Sequence, residues 1–206
     1  MTAFDFSDLP IVIRSRLLTR LVAPRPIAFV STLSAAGVGN LSPFSFFTAG
    51  GSNPPSIVFC SVNDRHGNPK HSLENIAATG EYVINIATFA IADKMNTTSY
   101  DYHADIDEFD KSGLTRVVSV KVKPPGVAES PARIECRLHE IVRHGRGASA
   151  GSYVIGEILY ATVEDTAITD GLPDNTKLDQ LARLGGDYYL RASPESLFVL
   201  PRPTAP

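Results

Sequence analysis

Cysteine is scarce in this chain: Cys60 and Cys136 are the only two in 206 residues. Two cysteines in a chain this long make no disulfide framework. Both lie in apolar strand-like runs, so they read as core filler in a reduced compartment. No Cys-x-x-Cys pair and no Gly-x-Ser-x-Gly elbow occurs, and with no activated nucleophile to name, a small hydrolase is a poor reading. Basic runs are also missing. Nineteen Lys and Arg against 22 Asp and Glu give a formal charge of −3 and a pI near 5.9, the wrong sign for a nucleic-acid binder or a polybasic membrane patch. No apolar run is long enough to span a bilayer. Residues Met1 to Asp8 lack the basic and apolar parts of a signal peptide. A cytoplasmic protein with neither nucleic acid nor membrane as partner is the expectation.

What is present is an ordinary globular balance, 43% hydrophobic and 20% charged, enough to bury one core, and residues 1–206 are read as a single domain. Phe4 to Leu9 is irregular or a short strand. Ile11 to Leu21 has a loose helical period, stopped by Pro24 and Pro26. Ile27 to Leu33 is continuous apolar ending in Ser31-Thr32, as in a strand buried on both faces. After a turn holding Gly37 and Gly39, Asn40 to Ala49 is again strand-like, and Ser56 to Val62 is a third run. Ser72 makes a helix N-cap, with Leu73, Ile76 and Ala77 as the apolar stripe and Gly80 as the stop. Glu81 to Ala87 is a strand, Ile91 to Thr98 a short helix, and Asp107 to Ser112 a turn. Val117 to Val122 is a short β run. Ala132 to Arg143 alternates strictly, placing Glu135 on the polar face, and returns through Gly145–Gly151 into Ser152–Val163. Lys177 to Leu184 is a helix stopped by Gly185 and Gly186, and the 201–206 tail is extended. Many short strands without βαβ alternation predict a mainly β or α+β fold, an antiparallel barrel or sandwich with short helical insertions.

The chemistry-bearing residues concentrate between Pro24 and Ser72. Gly37-Val38-Gly39-Asn40-Leu41-Ser42 superficially follows a dinucleotide fingerprint, but Pro43 and an aromatic strand follow where a helix is required, so a hairpin is predicted instead. Ser31, Thr32, Asn40, Ser42 and Ser45 offer hydroxyl and amide donors. Lys70 and Ser72 at a helix start add a cation and backbone N–H groups, and Arg65 is near in sequence. A phosphomonoester wants such donors. The same residues also suit plain strand ends and a helix cap. The carboxylates of Asp101, Asp105, Asp107, Glu108 and Asp110 with His103 lack the spacing of a calcium loop or zinc site and read as a solvated acidic loop. His139 and His144 read as surface residues.

Pro24-Arg25-Pro26-Ile27-Ala28, Asn40-Leu41-Ser42-Pro43-Phe44-Ser45 and Lys70-His71-Ser72 together resemble the flavin reductase-like proteins of the FMN-binding split-barrel superfamily. Arg183-Leu184-Gly185-Gly186 with Tyr188 and Tyr189 is similar to that family's C-terminal portion. The resemblance implies an antiparallel split β-barrel of Greek-key type. It implies FMN bound by Ser31, Thr32, Asn40, Leu41, Ser42, Ser45, Phe46, Arg65, Lys70, His71 and Ser72, with no catalytic side chain and no metal. Backbone N–H groups of Asn40 to Ser45 would serve the ring. It also implies NADH or NADPH as electron donor, a homodimer with FMN near the interface, and an oxygenase or other acceptor downstream. Phe29 stands where the family has Trp, and His71 where it has Asp; a histidine donating to phosphate would make binding pH-sensitive. The activity implied is an NAD(P)H-dependent flavin reductase. A flavoredoxin-like electron carrier that uses no nicotinamide and a non-enzymatic barrel binding flavin or haem are the alternatives.

Overall fold

The computed structural model describes residues 1–203; the expected extension of the tail beyond Pro203 lies outside the described residues. Helix α1 (Ile11–Leu21) forms as its periodicity predicts, yet none of its residues is buried. The stretch before it is a turn in which Asp5 accepts from Ser7. Strands β1 (Arg25–Pro26), β2 (Ala28–Leu33), β3 (Gly39–Phe44), β4 (Phe47–Ser52) and β5 (Pro55–Val62) follow, then α2 (His71–Thr79) and β6 (Glu81–Ile86). A 3₁₀ turn leads into α3 (Ala92–Thr97), and then come α4 (Glu108–Ser112), β7 (Arg116–Val117) and β8 (Gly126–Val127). The two long strands are β9 (Ala132–His144) and β10 (Gly151–Val163). The short β11 (Ile168–Thr169), β12 (Leu172–Pro173), β13 (Leu181–Arg183) and β14 (Tyr189–Arg191) finish the chain.

The main sheet is antiparallel throughout, in the order β3-β2-β6-β9-β10-β5-β4. Its two edge strands are consecutive in sequence, separated only by Ser45 and Phe46. Flat, seven strands would set those edges about 29 Å apart, whereas the link from Phe44 to Phe47 reaches only about 11 Å. The sheet must therefore curl until its two edge strands come together at that corner, as in a split barrel. Inside it, Ala28, Val30, Phe59, Tyr82, Ile84, Cys136 and Val154 pack on Leu73 and Ile76 of α2; burying each large side chain contributes about 1.5–3 kcal/mol. Outside it, Ile27, Phe29 and Leu41 pack under Met95, Phe109, Leu114 and Leu181. Both faces of β2 are thus covered, which accounts for the apolar run Ile27 to Val30.

Several expectations are corrected. Lys177 to Leu184 is not helical: Asp179 has φ +48°, Leu181 N donates to Ala87 O at 2.9 Å, and β13 pairs with β1 and β14, so distant strand partners override a local helical spacing. The Asn40–Ala49 run is two strands, broken at the corner that sends the chain from one sheet edge to the other. Helix α2 begins at His71 with Lys70 at the cap, so Ser72 lies inside the helix and makes no cap bond. Gly80 stops the helix in the left-handed region as expected, whereas Ala77 is exposed rather than part of the packed stripe. The Asp107–Ser112 turn is α4, with Asp107 accepting from Phe109 N at 2.9 Å. Of Val117–Val122, only Val117 lies in a strand. The segment that follows wraps the buried Glu135 carboxylate, which accepts from the N–H groups of Val120, Lys121 and Val122. Glu135 is therefore not on a solvated face.

Candidate functional site

Asn40, on edge strand β3, holds four elements together. Its Nδ2 donates to Glu108 Oε1 at 2.7 Å, and its Oδ1 accepts from Ser72 Oγ at 2.6 Å. Leu41 N donates to Glu108 Oε2 at 3.0 Å, and Thr32 Oγ1 accepts from Asn75 Nδ2 at 3.0 Å. Strands β2 and β3 are thereby tied to the first turn of α2 and to α4. Gly39 permits the approach, because a Cβ there would meet the Asp107 carboxylate. Glu108 is buried rather than solvated. Burial raises its pKa above the ordinary value, and the hydrogen bonds from Leu41 and Asn40 offset only part of that rise.

Beside this network lies a cleft of about 120 Å³ lined by Asn40, Ser42, Pro43, Lys70, His71, Thr98, Tyr100 and Tyr102, with Glu108 at its base. It opens into a wider groove of about 540 Å³ along Asn68, Glu74 and His103. Where α2 begins beside it, the N–H groups of His71, which lines the cleft, and of Ser72, buried one residue behind, have no partner among the described residues, as the first turn of a helix leaves them. Lys70 Nζ lies 3.1 Å from Asp101 Oδ1, with the two side chains 40% and 75% exposed. A surface pair of this kind contributes about 0–1 kcal/mol, so another anion can displace Asp101 at little cost. Two free N–H donors, the positive helix end and a cation make a fitting cradle for a phosphate.

Across Pro43 and Ser99 lies a second cleft of about 300 Å³, lined by Ser45, Phe46, Arg25, Met95, Arg183 and Tyr189 among others. Ser45, at the β3–β4 corner, has neither its N–H nor its hydroxyl bonded among the described residues. From Asn40 to Phe44 the strand before it has no such donor to offer among the described residues. Leu41 N is taken by Glu108, Pro43 has none, and Asn40, Ser42 and Phe44 pair with β2. Of the N–H groups along Asn40 to Ser45 expected to serve a ligand, those of Asn40, Leu41, Ser42 and Phe44 are taken within the protein, which corrects the expectation for them and leaves Ser45.

The expected site residues therefore separate. Asn40, Ser42, Lys70 and His71 line the first cleft; Ser45 and Phe46 line the second. Thr32 and Ser72 are buried behind Asn40. The Leu41 side chain lies in the outer core. Ser31 lies away from both clefts, donating to Pro125 O at 2.5 Å, and Arg65 is exposed beside His66. Sequence reasoning missed Glu108, Thr98 to Tyr102, Arg25 and Arg183. Asp107 and Gly113 are ordinary helix start and stop signals that would have revealed α4, and Arg25 sits within the Pro-Arg-Pro stretch itself. The remaining acidic side chains are engaged: Asp105 with His103, and Asp107 and Asp110 with Arg116.

Residues 20–181 match the family model described as flavin reductase like domain. A protein of Aquifex aeolicus is 36% identical over 179 residues, covering 86% of this chain and 89% of its own. The crystal structure of nitrilotriacetate monooxygenase component B from Bacillus cereus superposes with a TM-score of 0.91 at 27% identity, covering 97% and 98% of the two chains. A split-barrel-domain protein of Shewanella frigidimarina gives 0.81 at 28% identity, covering 98% and 100%.

Proposed function

Because the chain belongs to the flavin reductase-like family, we propose that it is an NADH- or NADPH-dependent reductase of FMN, acting as one flavin-binding domain in the cytoplasm. The observation that carries the FMN reading is the pair of free N–H groups at the start of α2 with Lys70 beside them. They would hold the phosphate, with His71 beside it. Ser42 would line the path of the cofactor's polar chain, and Ser45 and Phe46 at the corner would receive the ring. FMN bound there supplies the N5 position that takes hydride from the nicotinamide. The protein's own part is to orient and to exclude water: Ser45 N–H donates to the ring edge, Phe46 and Met95 give it an apolar wall, and Asn40 and Glu108 keep the cleft in shape. A cofactor-borne reaction of this kind needs no catalytic triad. The test is steady-state oxidation of NADH and of NADPH with added FMN; turnover with at least one donor is expected, and none with either overturns the reductase assignment in favour of an electron carrier.

The partner is a second copy of the chain. Helix α1 buries none of its residues and exposes Ile11, Val12, Leu18 and Leu21, the last at 69%, beside the exposed Phe4 and Phe6. A helix that leaves this many large apolar side chains exposed marks an interface. Light scattering is expected to give twice the 22.2 kDa chain mass, and Leu21→Asp is expected to return it to the single-chain value with α1 still folded. The oxygenase component implied by the Bacillus cereus likeness is proposed as the consumer of the reduced flavin.

A further inference from the structure

Among the described residues, the second cleft is lined by two arginines and no carboxylate. Arg25 and Arg183 are register partners across β1 and β13. Arg25 is 5% exposed; its two terminal nitrogens donate to Thr19 O, Val22 O and Leu184 O, and its Nε is buried without a partner among the described residues. Its guanidinium lies 5.6 Å from the Phe46 ring centroid. Arg183 stacks on Tyr189 at 4.4 Å, donates to the Tyr189 hydroxyl and to Gly186 O, and among the described residues has only the fully exposed Asp187 at 3.7 Å for a counter-charge. Two like charges lining one cleft, one of them with a buried orphaned N–H, are unfavourable unless negative charge enters the cleft.

We propose that Arg25 and Arg183 form an anion site for the electron-rich pyrimidine edge of the flavin, favouring the reduced over the oxidised cofactor; this rests on the FMN reading above. The chemistry balances. A dihydronicotinamide gives up two electrons and one proton as hydride and leaves as the oxidised cation; the flavin, having gained two electrons and one proton at N5, carries one added negative charge shared between N1 and the C2 oxygen. That charge develops where the two guanidinium groups are already fixed, so they act on the reduced form and hardly on the oxidised one.

The test is the midpoint potential of bound FMN, by dithionite titration against an indicator dye, with dissociation constants in both redox states. Arg183→Gln is expected to keep its affinity for oxidised FMN within about twofold and to lose about tenfold for reduced FMN, which is about 30 mV toward more negative potential for a two-electron couple. Arg25 also holds the end of α1, so Arg25→Lys, which keeps a cation there, serves as the second variant; a smaller shift in the same direction is expected, with thermal melting to confirm the fold. An unchanged potential in an Arg183→Gln protein that binds FMN normally overturns the inference and leaves FMN binding intact. So does an unchanged potential with a raised KM for the nicotinamide donor, which assigns the arginines to the donor's phosphates. Wild-type protein that takes up no FMN overturns the underlying reading instead.

Discussion

Glu108→Ala is expected to destabilise the protein by about 3 kcal/mol, because Asn40 Nδ2 and Leu41 N–H lose their acceptor while remaining buried. In a chain of this size that corresponds to a fall in Tm of about 6–12 °C. The loss reaches function through Asn40, whose other face holds Ser72 in the first turn of α2, so FMN affinity is expected to fall with stability. The same carboxylate sets a pH signature. Its folded pKa is raised above the ordinary 4.5, so between those two values the folded chain keeps a proton that the unfolded chain has released. Stability from this group therefore falls as pH rises through that window and is unpenalised below it. Glu108→Gln, which keeps the shape and cannot ionise, is expected to gain stability relative to wild type as pH is raised from 4.5. Parallel melting curves for the two proteins from pH 4 to 8 contradict the assignment if the difference stays constant.

Gly156→Ala is expected to cost about 3 kcal/mol, among the largest effects of any single methyl in this fold. A Cβ at Gly156 on β10 would fall onto the Tyr82 hydroxyl, with the ring carbon Cζ only 2.8 Å away. Tyr82 is fully buried in the barrel interior and packs edge-on against Phe59 at 5.7 Å, so it has nowhere to retreat. The Tyr82 hydroxyl has no hydrogen-bond partner among the described residues. Tyr82→Phe is accordingly expected to be neutral or to stabilise by about 1 kcal/mol and to relieve part of the Gly156→Ala penalty. Urea denaturation of both single variants and the double variant measures that coupling; strictly additive losses contradict the steric account.

Local pattern made much of the barrel legible. The apolar run Ile27 to Val30 leading β2, the alternation of β9 with its return in β10, and the Gly80 stop of α2 each follow from forces acting within a few residues. What escaped was set by partners far away in sequence. The break at Ser45 and Phe46 exists because the two sheet edges must meet. The strand at Leu181 exists because Ala87 and β1 take up its backbone. Glu108 read as one more solvated acid because its acceptors are satisfied by Asn40 and Leu41, 68 and 67 residues away. At the site, Lys70 and Asn40 reach one cleft as the motif suggests, while Pro43 sets Ser45 apart in the next. The two arginines of that second cleft meet only when β13 pairs with β1, a contact that no local spacing announces.

A fluorescence titration comparing FMN with riboflavin tests the central claim most directly, since the two share a ring and differ at the phosphate. Seating that phosphate on the His71 and Ser72 N–H groups beside Lys70 predicts that FMN binds at least about tenfold more tightly, from the roughly 1.5–3 kcal/mol that a hydrogen bond to a charged group contributes. Equal affinity for the two would contradict it.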